Sequence, residues 1–148
     1  MAERKAAVRW EGNLLQGEGL ITEVGSGALA KLPISWSART ETSGGKTSPE
    51  ELLAAAQAAC FAMALSGALT RAGHPPQAVD VAATCTFDKK PEGGWKVATM
   101  QIEVHGHVPG IDAAAFERIA AETGLNCPIS GALRGNVEIR VTAHLEHD

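Results

Sequence analysis

The chain contains no tyrosine, and aromatic residues make up only 4% of its 148 residues. Carbohydrate platforms and surfaces for single-stranded nucleic acid stack their ligands on aromatic faces, so both are disfavoured, although three tryptophans remain. An excess of positive charge is also missing. The formal net charge is −4 and the pI is about 5.7, which gives no general attraction for nucleic acid or an anionic membrane. No apolar run reaches membrane-spanning length without interruption, and the opening MAERKAAVRWEG turns polar where a secretory leader needs an apolar stretch. These features predict a cytoplasmic protein with neither nucleic acid nor a membrane as partner.

Several catalytic signatures are lacking too. No GxSxG elbow occurs. SGGKTS is not a phosphate loop, because the upstream glycine of GxxxxGK[ST] is absent, and GLITEVGSG lacks the strand–glycine–helix context of a dinucleotide site. No CxxC dithiol is present, which disfavours a thiol–disulfide oxidoreductase acting on proteins. No cofactor is therefore expected. Cysteine itself is scarce: Cys60, Cys85 and Cys127 are the three, and an odd count leaves one outside any internal pair. In a cytosolic protein a permanent disulfide is disfavoured, whereas a transient catalytic one is allowed.

The length suits one domain, 1–148, with a real core and something to gain from dimerisation. KAAVRWEG and LLQGEGLITEV read as a hairpin turning at Gly12 and Asn13, and LPISWSARTE as a third strand. After the polar TSGGKTS comes a strong helix start, with Ser48 as N-cap, Pro49 at the first helical position and Glu51 placed for a capping box. This helix, from about Pro49 to about Arg71, is apolar almost all round and is expected to be largely buried. Gly73, Pro75 and Pro76 end it. AVDVAATCTFDKK and GWKVATMQIEVHGHV alternate as two long strands joined by a hairpin turn. Asp112 caps a second helix that stops at Gly124, Asn126 caps a short third piece, and GNVEIRVTAHLEHD closes as a strand. The order βββ-α-ββ-αα-β predicts an α+β fold with mostly antiparallel sheet around a long buried central helix.

Cys60 lies at least two turns into the long helix, where the dipole of the N-terminus has faded and burial alone would make it inert. It needs a cation to react, so a structural and a reactive thiol both stay open. Cys127 sits at a helix start, which favours a thiolate, either as nucleophile or as a resolving thiol that leaves easily in exchange. Cys85, on a strand between Ala83 and Phe87, reads as core filler. Arg39 by itself is a solvated strand-end arginine, and Glu50 by itself is a carboxylate suited to a helix start. Together they fit a bidentate clamp that holds a guanidinium over a thiolate. Glu50 and Cys60 are ten residues apart, about 15 Å along a straight helix, so a bend, the reach of the arginine or a second chain must join them. His105 and His107 share a strand face like a pair of metal ligands, but no third ligand is evident, His144 lies on the last strand, and His74 and His147 read as loop or tail residues. No metal site is expected.

VRWEGNLLQGEG, TSPEELLAAAQAACFAMALS, VPGIDAAAF and NCPISGAL, spread over nearly the whole chain, resemble the OsmC/Ohr family of thiol-dependent peroxidases, and its OsmC branch in particular. The resemblance implies an intertwined homodimer with two active sites at the interface. It implies Cys60 as the peroxidatic thiol, Cys127 as the resolving thiol that forms a disulfide with it, Arg39 as the cation at the thiolate, and Glu50 as the carboxylate holding Arg39. Organic hydroperoxides and hydrogen peroxide would be substrates. A dithiol, such as the lipoyl group of a lipoylated protein, would restore the thiols better than thioredoxin or glutathione. Phe61, Met63 and Ile129 would wall the pocket. The competing reading is a homodimer on the same fold that binds a small ligand without catalysis.

Overall fold

In the computed structural model of the chain, which describes residues 1–147, two compact units form, one from Met1 to Leu52 and one from Leu53 onward. The first unit opens with β1 (Ala6–Glu11), β2 (Glu18–Val24) and β3 (Ala30–Ile34), an antiparallel sheet in that order. The β1–β2 turn is longer than the alternation suggests. Gly17 N–H donates to the Asn13 carbonyl at 2.8 Å, so Leu14 and Leu15 lie in the turn, exposed, and β2 starts only at Glu18. Gly19 is required in β2, since a Cβ there would stand 2.6 Å from the Trp10 ring and 2.7 Å from Ile34.

The third strand stops earlier than its pattern suggests. Residues Trp36–Thr40 are not strand but a short helix, α1, because Ser35 acts as N-cap and accepts the Ala38 N–H at 3.2 Å. A single helical turn is too short to show a 3.6-residue period, which is why the run reads as extended. Arg39 therefore stands in the last turn of a helix, with its guanidinium 5.9 Å from the centre of the Trp36 ring.

Helix α2 (Pro49–Arg71) begins as its sequence dictates: Ser48 Oγ accepts the Glu51 N–H at 3.1 Å. The reciprocal half of the capping box is absent, since Glu51 takes the Thr47 hydroxyl instead. At the other end Gly73, at φ 88°, forms a Schellman turn in which His74 N–H reaches the Leu69 carbonyl and Gly73 N–H that of Thr70. By length and mean hydropathy (1.8) α2 would suffice to cross a bilayer. Its residues Gln57, Phe61, Leu65 and Leu69, four apart, are instead completely sealed in protein. The expectation of a largely buried helix holds for that one stripe only. Ala55, Ala56, Ala59 and Met63 face outward, Met63 with 72% of its surface exposed.

The second unit packs that stripe against a sheet of β4 (Ala78–Lys89), β5 (Trp95–His107) and β6 (Glu138–Leu145). β4 and β5 pair antiparallel through a turn closed by Lys90 N–H on the Gly94 carbonyl. β5 and β6 pair parallel, which demands a crossover, supplied by α3 (Ala113–Asn126) and α4 (Pro128–Leu133). Met100, Ile102 and Val104 alternate inward from β5 onto Phe61, Leu65, Leu69, Phe116 and Ile119. Cys85 packs at the edge of this core, as expected for filler. Asp112 caps α3 through the Ala115 N–H. Gly124 does not stop that helix, which runs on to Asn126. It is buried against β6, so close that a Cβ there would stand 2.4 Å from Val141 Cγ2, which is why the position needs glycine. The observed α+β architecture matches the expected class, with one more short helix than the sequence predicts.

Candidate active site

The four residues singled out by chemistry fall into two pairs, one in each unit. In the first, Arg39 and Glu50 form the bidentate clamp anticipated from the sequence. Arg39 Nε donates to Glu50 Oε1 and Oε2 at 3.0 and 3.1 Å, and Nη2 donates to Oε1 at 2.7 Å. Glu50 is 6% exposed, so the guanidinium supplies most of the compensation that a sealed carboxylate needs. Beside the clamp is an apolar cleft of about 310 Å³ lined by Trp10, Leu14, Ile34, Trp36, Arg39 and Pro49.

The second pair is Cys60 on α2 and Cys127 between α3 and α4. Asn126 does not cap α4; it is the last residue of α3, and Cys127 itself is the N-cap. Pro128 at the first helical position has no N–H, so the first amide donors of α4 are those of Ile129 and Ser130. Both act on the sulfurs. Ser130 N–H serves Cys127 Sγ at 3.4 Å, and the Ile129 amide is placed to favour the Cys60 anion. The two thiols are close enough to act on each other's titration. None of the three cysteines is in a disulfide.

The two sulfurs hold a proton unequally. Burial raises the Cys60 thiol above the ordinary cysteine value, and the neighbouring Cys127 adds to that, against the opposing pull of the Ile129 amide. Burial also pushes Cys127 upward, but donors from Ser130 Oγ, Ser130 N–H, Cys60 and Gln57 outweigh it and bring its thiol below the ordinary value. Within this unit the anion therefore belongs on Cys127. Cys127 is 1% exposed and Cys60 is half-buried, so the sulfur easier to reach is the one that holds its proton.

Two residues of this network escape the sequence reading. Gln57 is fully buried and donates its amide to Cys127 Sγ at 3.3 Å and to Ser130 Oγ at 3.1 Å. Ser130 Oγ stands 3.1 Å from Cys127 Sγ. The signal for Gln57 is its position, three residues before Cys60 and so on the same helix face, the one amide in a run of alanines. Ser130 stands three residues after an N-cap, where its own amide is a free donor. Of the expected pocket walls, Phe61 is sealed in the core and Ile129 is half-buried beside the thiols. Met63 borders a cleft of about 310 Å³ that reaches Cys127 and Arg71.

A clamped guanidinium and a pair of interacting thiols are the components of thiol-based peroxide chemistry, and known proteins agree with that class. Peroxiredoxin OsmC of Escherichia coli (strain K12) is 36% identical over 136 residues, covering 92% of this chain and 93% of that protein. An organic hydroperoxide resistance protein of Xanthomonas axonopodis pv. citri (strain 306) is 31% identical over 100 residues, covering 67% of this chain and 68% of that one. Among solved structures, the organic hydroperoxide resistance protein OhrB of Bacillus subtilis superposes with a TM-score of 0.72 at 24% identity, over 96% of this chain and 98% of that chain. An OsmC organic hydroperoxide resistance protein from Legionella pneumophila gives 0.70 at 27% identity, over 95% and 96%. With residues 42–142 also matching the family described as OsmC-like protein, this chain belongs to the OsmC-like family.

Proposed function

We propose that this protein is a peroxiredoxin-like hydroperoxide reductase that works through Cys60 and Cys127. The observation that carries the reading is the thiol pair itself: a half-buried sulfur beside a sealed one whose anion is stabilised by Gln57 Nε2, Ser130 Oγ and Ser130 N–H. Its relatives are named for peroxiredoxin activity and organic hydroperoxide resistance. The Cys60 thiolate attacks the terminal oxygen of ROOH, the O–O bond breaks, and ROH leaves with a proton while Cys60 becomes a sulfenic acid. Arg39, held by Glu50, is the cation that favours the Cys60 thiolate and steadies the peroxide at that moment. The Cys127 thiolate then attacks the Cys60 sulfur, a disulfide forms, and the oxygen leaves as water after taking a proton.

The pKa order suits the return step. A dithiol attacks the disulfide at the more accessible Cys60 sulfur, and Cys127 departs as the stabilised thiolate, because the lower-pKa thiol is the better leaving group. The second thiol of the reductant then frees Cys60, and the reductant leaves as its own disulfide. A lipoyl group on a carrier protein in the cytoplasm fits this demand for a small, mobile dithiol. The apolar cleft beside Arg39 supports organic hydroperoxides as substrates, since it offers their hydrocarbon tails a place next to the guanidinium. We further propose that the working form is a homodimer, since the outward face of α2 and the exposed Val8, Leu14, Leu15 and Leu29 ask for cover.

Stopped-flow oxidation of the reduced protein by cumene hydroperoxide and by hydrogen peroxide, with mass spectrometry after thiol trapping, tests the chemistry. The expected result is a Cys60–Cys127 disulfide, no oxidation in Cys60→Ser, and a stalled sulfenic acid in Cys127→Ser. Slow oxidation with no such linkage would favour a non-catalytic ligand-binding protein on the same fold.

A further inference from the structure

The outer face of the β4–β5–β6 sheet carries three histidines that the thiol chemistry leaves unused, and the strand register brings two of them together. His105 of β5 lies directly opposite His144 of β6, and their rings stack with centroids 4.7 Å apart at 24°. Glu103 is two residues before His105 and so points to the same face. Its Oε1 stands 3.3 Å from His105 Nε2 and 3.4 Å from His144 Nε2. The third ligand missing from the sequence is thus a carboxylate on the same strand. The partner of His105 is His144 across the sheet, while His107 stands apart with Asp80 at 3.4 Å.

The spacing is that of a coordination polyhedron. With bonds of roughly 2.0–2.1 Å, the edge of a tetrahedron of nitrogen and oxygen ligands around zinc is about 3.3–3.4 Å. Both nitrogen–oxygen separations already have this length, and one ligand atom from each residue lies within 4.8 Å of the others, so the two imidazoles have to turn from their stacked arrangement towards a shared ion. A second feature points the same way. The other ring nitrogen of His105, Nδ1, is hydrogen-bonded to the Glu146 carboxylate. A carboxylate that accepts the Nδ1–H of an imidazole fixes the tautomer whose Nε2 lone pair is free to bind a metal, the arrangement metal-bound histidines nearly always show. All three side chains are 43–52% exposed, which gives an ion a way in and leaves room for a water ligand.

We propose that Glu103, His105 and His144 form a binding site for a late first-row divalent metal ion, with zinc(II) as its simplest occupant and Glu146 orienting His105. The two imidazoles and one carboxylate are the donor set of borderline metals, while magnesium and calcium prefer all-oxygen sites.

The test is zinc binding to the full-length protein, measured by competition with a chromophoric chelator in a Cys60→Ser Cys85→Ser Cys127→Ser background, because the thiols would otherwise take the metal themselves. One zinc per chain is expected. His105→Ala and His144→Ala should each weaken it by on the order of 100-fold, and Glu146→Gln by roughly 10- to 100-fold. His74→Ala should leave it unchanged. Glu103→Gln, the mildest change, tests the site even where a histidine variant folds poorly. Histidine NMR signals of residues 105 and 144 should shift at one equivalent of zinc while that of residue 74 stays. No saturable binding, or binding that survives both His105→Ala and His144→Ala, would overturn the proposal.

Discussion

At Gln57 an amide with no exposed surface is spent on two neighbours, while its Oε1 is buried with no hydrogen-bond partner. A buried carbonyl oxygen without a partner costs about 1–3 kcal/mol, and two modest hydrogen bonds return roughly 1 kcal/mol each. Stability alone therefore gives little reason for a glutamine there, whereas its effect on the Cys127 sulfur is direct. Gln57→Leu is expected to leave the melting temperature within a few degrees, because an unsatisfied oxygen disappears together with the two bonds. It should also move the Cys127 titration upward, towards the ordinary thiol value. The ultraviolet absorbance of the thiolate against pH, in a Cys60→Ser Cys85→Ser background, reads that shift; an unmoved midpoint would mean the amide is only packing. The sign for stability follows. A thiol depressed in the folded state stabilises the fold at pH above its unfolded value, and that contribution fades as pH falls through the folded value. Gln57→Leu should shrink it.

At the scale of elements, Gly124 shows how a helix can be tuned by its neighbour. Alanine is favoured over glycine in a helix interior by about 1 kcal/mol. Here its Cβ would stand 2.4 Å from a methyl of Val141, a β-branched side chain with little freedom to turn away on its strand. Gly124→Ala is expected to destabilise by about 1–3 kcal/mol despite the gain in propensity, and Val141→Ala in the same chain should recover part of the loss. Chemical denaturation of both variants measures it; a stabilised single variant would show that α3 simply shifts. The same contrast explains what was legible beforehand. Helix α2, the β4–β5 hairpin and Asp112 announce themselves through local caps and periodicity. The α1 turn, the parallel pairing of β6 and the reason for Gly124 depend on partners far away in sequence. The candidate site divides likewise: Cys60, Cys127, Arg39 and Glu50 stand in recognisable motifs, whereas Gln57 and Ser130 gain meaning only once α2 meets the start of α4.

For the molecule as a whole, the Arg39–Glu50 clamp and the thiol pair pose a question of chain partnership that a mixed-variant experiment answers. If the proposed site takes the arginine from one chain and the thiols from the other, a dimer of an Arg39→Ala chain with a Cys60→Ser chain contains one complete site. If each chain serves itself, that dimer contains none. Removing Arg39 leaves a sealed Glu50 without its guanidinium, at a cost of about 2–3 kcal/mol, less than for a fully buried pair because the Arg39 side chain is 31% exposed. Arg39→Ala alone should also slow peroxide reduction by on the order of 100-fold, the usual loss when one preorganised charge donor is removed. In the proposed homodimer each parent variant is then nearly silent, and activity that rises on mixing and refolding comes from hybrids. The α2 face supplies the control: Met63→Lys places a charge on the outward apolar stripe and should weaken dimerisation, read by analytical ultracentrifugation, while leaving the Phe61–Leu65–Leu69 core untouched. Complementation that Met63→Lys abolishes would mean the site is shared across that face. Silent hybrids from a protein that still dimerises would place the arginine and the thiols in the same chain.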